Sequence, residues 1–515
     1  MPEYLHPGVY IEEIERGPRP IEGVPTSTSA FLGETERGTL RPTLVTSYRD
    51  YQRWFGGVFA DGCFMPNAVS GFFENGGKRL YIARITGPNG VPASRDLGSG
   101  FRATAVGPGA WGRRVWVKVL PGSTVSGDGT RGFRLQIAYW AVAPNPVFDP
   151  FTDTKKLPRP QFVEDYDDLS IDPISSDYYL KRMIDTSTNQ SVSTLIGLTN
   201  ANTIPAGVPA AGDGAFLDTD GNEPAIPNVG DFRALDGREQ GLAALDLDPF
   251  RDVALMYAPF PRNEPVEIAK AIFDYCENRR FCFSVIDSNE DAQPGALNPR
   301  ITNNWDTQYA AFYTPWIVTS DPLTGARVRV PPGGHMLGIY ARTDAERGVF
   351  KAPANEIVRG AYNLRFDINE GTQDVLNPQG VNAIRAFPGR GIRVWGARTL
   401  SSNGLWKYVS VRRLFIFLER SIYEGTQWVV FEPNDDKLWA RVVDTIRLFL
   451  RAQWRLGALF GRTEEEAFFI TCDRTTMSQD DILNGRLICE IGIAPVRPAE
   501  FVVFRIFQNT AEPQR

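Results

Sequence analysis

The sequence predicts a multidomain α/β (α+β) protein with a mixed-sheet core assembled from N- and C-terminal parts of the chain and a β-rich outer domain inserted between them. Strand and helix patterns alternate over residues 21–95, as in a layered α/β fold. Over 96–250 that alternation gives way to strand-like runs and stretches rich in Gly, Pro and Asn, and at about 251 it returns. At 515 residues the chain also exceeds the size at which one core stops growing.

Residues 1–20 read as an arm. Gly8, Val9, Tyr10, Ile11 and Ile14 have strand propensity, and Gly17, Pro18 and Pro20 separate them from the next apolar run as a hinge. A terminal strand with nothing local to pair with must find a sheet elsewhere. Residues 28–33 form a strand, 48–56 a short helix ended by Gly56, 64–75 a second helix and 79–85 a strand. In the inserted domain, 114–120 and 133–139 are strands, and 199–230 are irregular surface. Residues 251–330 continue the core. Strand 253–258 is followed by a helix opened by Pro265, with Ala269, Ile272, Phe273 and Cys276 on one face, and then by strand 281–286. That is the pattern of a parallel crossover.

Residues 331–515 form the C-terminal domain. The run 412–419 has helical or strand texture. Residues 435–459 are the clearest long helix. Asp435 and Asp436 suit its positive end, and Trp439, Val442, Val443, Ile446, Phe449 and Leu450 line one side. Arg447, Arg451 and Arg455 recur every four residues and build a basic ridge beside that stripe. Three strands follow, 467–472, 486–494 and 500–508. The last holds Phe501, Val502, Val503, Phe504, Arg505, Ile506 and Phe507 and is apolar on both faces, so as a free tail it would be an aggregation-prone edge. Pro495 and Pro498 precede it as a second hinge.

Composition is that of a globular protein, with 42% hydrophobic and 23% charged residues. The 55 basic residues are outnumbered by 61 acidic ones, for a net charge of -6, which argues against nucleic acid as a partner. Nothing resembles a leader or a membrane-spanning run, so folding is expected in the cytoplasm. The five cysteines, none spaced as CxxC, read as reduced core thiols.

Chemistry finds little support. His6 and His335 are the only histidines, and no GxSxG elbow accompanies His335. The glycine runs at 389–396 and 107–112 match neither a dinucleotide fingerprint nor a phosphate loop, and read as tight turns in which Arg390 or Arg393 satisfies a carboxylate. Asp165, Asp167 and Asp168, Asp246 and Asp248, and Glu464, Glu465 and Glu466 cluster without the order of a calcium loop. The glutamate run reads as an exposed acidic patch or an intersubunit partner for arginine. No catalytic, cofactor or metal residue is assigned.

The runs PGGHMLGIYARTD (332–344), RGVFKAPAN (347–355), NAIRAFPGRGIRVW (382–395), WKYVSVRRLFIFL (406–418), GTQWVVFEPN (425–434) and APVRPAEFVVFRIFQ (494–508) resemble contractile tail sheath proteins of phages and phage-like injection particles. So do PGVYIEE (7–13) and GVPTSTSAFLG (23–33), and the resemblance fades across 96–250.

The resemblance implies subunits in stacked six-membered rings forming a helical tube around an inner tail tube, and contraction without nucleotide hydrolysis. It implies that residues 7–14 and 500–508 are exchanged into the C-terminal sheet of neighbouring subunits, and it suggests the ridge Arg447, Arg451 and Arg455 for tube contact. The partners it implies are further copies, the inner tube protein, baseplate and terminator or cap proteins, and a sheath paralogue where one shares the assembly, in a virion tail or a released extracellular particle. Neither nucleic acid contact nor membrane insertion is expected. An α/β enzyme with an unrecognised polar site and another tail or baseplate component stand as alternatives.

Overall fold

Ser29, Ala30, Phe31, Leu32 and Gly33 are buried along the whole run, which suits a strand covered on both faces in the middle of a sheet. The computed structural model describes residues 20–125, 131–185, 190–202, 205–217, 221–234, 240–503 and 505, and this run is strand β1 (Ser29–Gly33) of an eight-stranded sheet. The others are β2 (Thr43–Val45), β3 (Leu80–Arg84), β4 (Leu255–Tyr257), β5 (Phe283–Asp287), β6 (Ala310–Thr314), β7 (Val381–Phe387) and β8 (Gly391–Val394). Their order is β2-β3-β1-β4-β5-β6-β7-β8. The central pairings are parallel, and β2 and β8 close the two ends antiparallel. The protein is thus mixed α/β with several sheets, one of which combines strands from the N-terminal part with later ones.

Parallel neighbours need crossovers. Helices α1 (Tyr48–Phe55) and α2 (Met65–Glu74) lie between β2 and β3, and α3 (Pro265–Arg279) joins β4 to β5. The Ser47 hydroxyl caps α1 by accepting from the Asp50 amide, and Gly56 ends it with φ 83°. Helix α4 (Gly333–Arg347), between β6 and β7, packs on α2 backbone to backbone. A Cβ on Gly338 would stand 2.4 Å from the Phe72 carbonyl oxygen, and one on Gly71 would stand 2.3 Å from the His335 ring.

Between β3 and β4 the chain forms separate sheets. One contains Ser94–Gly98, Phe101–Ala105 and Ile196–Asn200; another contains Ala215–Phe216, Val115–Val125, Arg131–Tyr139 and Phe162–Leu169. Phe101, Trp111, Val117, Phe133, Leu135 and Ile137 share their core. An arginine from the β1–β2 loop enters this region. Arg37 is fully buried with the Tyr139 and Phe162 rings at 5.0 and 4.7 Å, and it donates to Gln52 O at 2.9 Å.

The chain divides into two compact units, residues 25–412 and a second made of the segment up to Val24 and the chain from Arg413. The division falls after Arg412 rather than near 330 because α4 belongs with α2, inside the first unit. The ambiguous run 412–419 is helical, within α5 (Val409–Gly425). The long helix is α6 (Asp436–Arg455), shorter than expected at its C-terminus. All five cysteines are free. Among the described residues no helix is long and apolar enough to cross a membrane.

Candidate functional site

The second unit is built on α5, from Arg413 onward, and α6. The Asp435 carboxylate caps α6 by accepting from the Leu438 amide at 2.8 Å. Leu438, Trp439, Val442, Ile446, Phe449 and Leu450 are buried, while Val443 sits at the margin of that stripe, half-buried. Phe417 of α5 meets Phe449 of α6 with ring centroids 6.0 Å apart. The chain just beyond the N-terminal arm lies along α5. Val24 N donates to Ser421 Oγ at 3.2 Å, and a Cβ on Gly425 would stand 2.7 Å from Ile21 Cγ1. The arm residues Gly8, Val9, Tyr10, Ile11, Ile14, Gly17 and Pro18 lie outside the described residues, as does His6; Pro20 is exposed irregular chain.

Beyond α6 come β9 (Phe468–Thr471) and β10 (Glu490–Ile493), an antiparallel pair with Phe468 opposite Ile493. The pair makes up a complete two-stranded sheet among the described residues, so each strand has one neighbour and one open edge. Two strands alone are marginal in water, and open edges are templates for a further strand. The expected strand 486–494 is thereby shortened to four residues.

The terminal strand differs from its expectation. Phe501, Val502 and Val503 form no strand pairing among the described residues and are 75%, 68% and 78% exposed. Arg505 is likewise exposed irregular chain, and Phe504, Ile506 and Phe507 lie outside the described residues. Folding back onto β10 would reverse the chain within Pro495–Pro498, where the chain is instead held. Pro495 bridges to Leu459, and Val496 N donates to Ala458 O at 3.2 Å. Pro495, expected as part of the second hinge, is thereby tied to Leu459 in the isolated chain.

The basic ridge is partly neutralised within the chain. Glu464 accepts from Arg451 Nε at 2.6 Å and lies 3.7 Å from Arg447 Nε; Asp444 lies 3.5 Å from Arg447 Nη1. This contact with Glu464 holds the Arg451 guanidinium above its ordinary pKa. Arg455 makes no ion pair among the described residues. The acidic run, expected as an exposed patch or an intersubunit partner for arginine, thus spends Glu464 on its own chain, a contact invisible in sequence because a turn brings the short helix Glu464–Ala467 back beside α6.

The first unit holds the groups an α/β enzyme would use. Open α/β sheets take ligands at the carboxyl ends of their strands. There Glu34, after β1, accepts from Arg262 Nε at 2.9 Å. Asp287, at the end of β5, accepts from Tyr257 OH at 2.5 Å and Gly333 N at 2.8 Å. His335 is buried with both ring nitrogens unpartnered among the described residues, and burial pushes it down to about 4. Burial raises Cys63 to about 12. Arg393 donates to the Asn355 and Arg390 carbonyls rather than to a carboxylate.

Residues 238–400 match the model of the phage tail sheath protein central domain and 401–509 that of the phage tail sheath C-terminal domain. A putative prophage major tail sheath protein of Pseudomonas aeruginosa (strain UCBPP-PA14) is 24% identical over 245 residues, 46% of this chain and 61% of that protein. The tail sheath protein of Escherichia phage P2 is 26% identical over 195 residues, 36% of this chain and 46% of that one. The matched regions span less than two thirds of either relative. Among solved structures, the anti-feeding prophage helical sheath in its contracted state superposes with a TM-score of 0.60 at 23% identity, covering 98% of this chain and 99% of that one. The sheath complex of the extracellular contractile injection system PVC, also contracted, gives 0.59 at 23%, covering 99% of each chain. At such identities the superpositions speak for the fold, and the two family models together take in more than half of the sequence: the chain belongs to the phage tail sheath family.

Proposed function

We propose that this chain is the structural subunit of a contractile sheath, polymerised with copies of itself in stacked rings of six around an inner tube, in a phage tail or an extracellular phage-like particle. A heterologous contact repeated with a rotation and a rise gives an open helix. The observation that carries the reading is one compact unit holding a two-stranded sheet with open edges, the root of the N-terminal arm, and the unpaired Phe501–Val503 segment. Donated arms 7–14 and 500–508 complete that sheet in neighbouring subunits by strand addition. The inserted sheets of residues 94–217 form the outer domain. Residues 17–20 and 497–498 then let subunits pivot while their backbone pairing persists, so the sheath shortens without coming apart. The work comes from a metastable extended packing held by a kinetic barrier, not from nucleotide hydrolysis. The ridge Arg447, Arg451 and Arg455 faces acidic groups of the tube, with Arg455 available at once and the other two on release from Glu464. Baseplate and terminator proteins complete the particle.

Hydrogen exchange tests the strand addition. Amides of 500–503, and those of 490–493 on the edge facing away from β9, exchange freely in the isolated chain and become protected in assembled sheath. Equal exchange in both states contradicts the proposal.

A further inference from the structure

The hairpin of β7 and β8 ends in a tight turn at residues 387–391, with Gly389 and Gly391 at φ 71° and 75°. Phe387 and Trp395 stand beneath it with ring centroids 4.5 Å apart. The Arg390 guanidinium lies 4.7 Å from the Phe387 ring and 6.0 Å from that of Trp395, and Arg385 lies 5.1 Å from Phe387. Arg393 is braced by the Arg390 and Asn355 carbonyls, and Arg385 by the Ile368 carbonyl and Gln373 Oε1. Three guanidinium groups are therefore held on one hairpin, with Arg390 exposed.

None of the three makes an ion pair among the described residues, although carboxylates are near in sequence and fold. Glu356, on the segment that pairs with β8, lies instead 3.5 Å from Lys351 and 3.8 Å from Arg342. A planar guanidinium stacked on aromatic rings has already lost much of its rotamer freedom, so a carboxylate binds it at reduced entropic cost. The chain as a whole is acidic, at -6, so a concentrated basic hairpin is complementary to the rest of its own surface.

We propose that the tip of this hairpin, Arg390 with Arg385 and Arg393 on the Phe387 and Trp395 platform, is a contact surface that binds carboxylates of a second copy of this chain. The proposal rests on the reading of the chain as a self-assembling subunit and adds an electrostatic contact outside the exchanged strands. In a helical array one such contact recurs at every subunit, so a modest pairwise term is multiplied along the assembly.

The test is sedimentation velocity on the full-length chain at about 0.05 M and about 0.5 M salt, where screening of exposed charges differs strongly. Wild type is compared with an Arg390→Glu, Arg393→Glu double variant, with Arg390→Lys and with a chain lacking residues 1–14. The double variant is expected to melt as wild type does, to self-associate roughly tenfold or more weakly at low salt, and to lose most of the salt dependence. Arg390→Lys falls between, since it keeps the charge without the planar fork. Should the double variant unfold, Arg390→Ala removes only an exposed side chain and carries the same expectation. Association equal to wild type in a folded variant overturns the proposal. If the arm deletion abolishes association while the hairpin variants retain it, the hairpin contact falls and the sheath reading stands; a wild-type chain monomeric at both salt concentrations overturns both.

Discussion

His335 and Asp287 titrate in opposite senses within the first unit. Burial lowers His335 to about 4 from an ordinary 6.5, so between these values the unfolded chain binds a proton that the folded chain refuses, and stability falls as pH falls through that window. Burial raises Asp287 to about 7 from 3.8, even with Tyr257 and Gly333 donating to it. The folded chain therefore holds the extra proton, and the stabilisation it brings is lost as pH rises toward 7. Each contributes a slope of at most about 1.4 kcal/mol per pH unit, and between pH 4 and 6.5 the two offset. Thermal melts between pH 4.5 and 6.5 are expected to show Asp287→Asn losing stability on acidification more steeply than wild type, and His335→Gln less steeply. Parallel profiles for all three chains would refute the assignment. The sequence identified His335 as an implausible catalyst, but its burial against Gly71 depends on a contact between helices some 260 residues apart.

At the scale of elements, the two helical contacts differ in what they do. The α2–α4 contact is made by glycines, and Gly338→Ala places a methyl group 2.4 Å from the Phe72 carbonyl oxygen, so it is expected to cost about 1–3 kcal/mol in urea unfolding. A wild-type midpoint would mean that the helices separate freely. The ridge of α6 lies at the surface, so Arg451→Glu, which turns the Glu464 ion pair into a like-charge contact, is expected to lower the melting temperature of the chain only slightly, weaken extended sheath on its tube and spare the contracted form. Equal loss of both forms in electron micrographs would remove α6 from the tube contact. The 3.6-residue period made α6 legible, and the β4–α3–β5 crossover was legible from strand, helix and strand in one short stretch. The Glu464 clasp and the insertion of Arg37 between Tyr139 and Phe162 were not, because each depends on where a loop returns in space.

Across the whole molecule, the apolar run Phe501-Val502-Val503 is legible as a segment with no obvious partner in the neighbouring sequence. It forms no strand among the described residues, so its pairing belongs to the proposal of strand addition. The placement of the division after Arg412 was not legible, since it reflects which helix packs on which and leaves no mark in composition. The central claim is that the subunits are joined by exchanged terminal strands. Negative-stain electron microscopy of the purified chain, beside a chain lacking residues 1–14, tests it most directly. Hollow tubes are expected from the intact chain and none from the truncated one, with both chains folded; tubes of equal length and number from both would rule out the strand exchange.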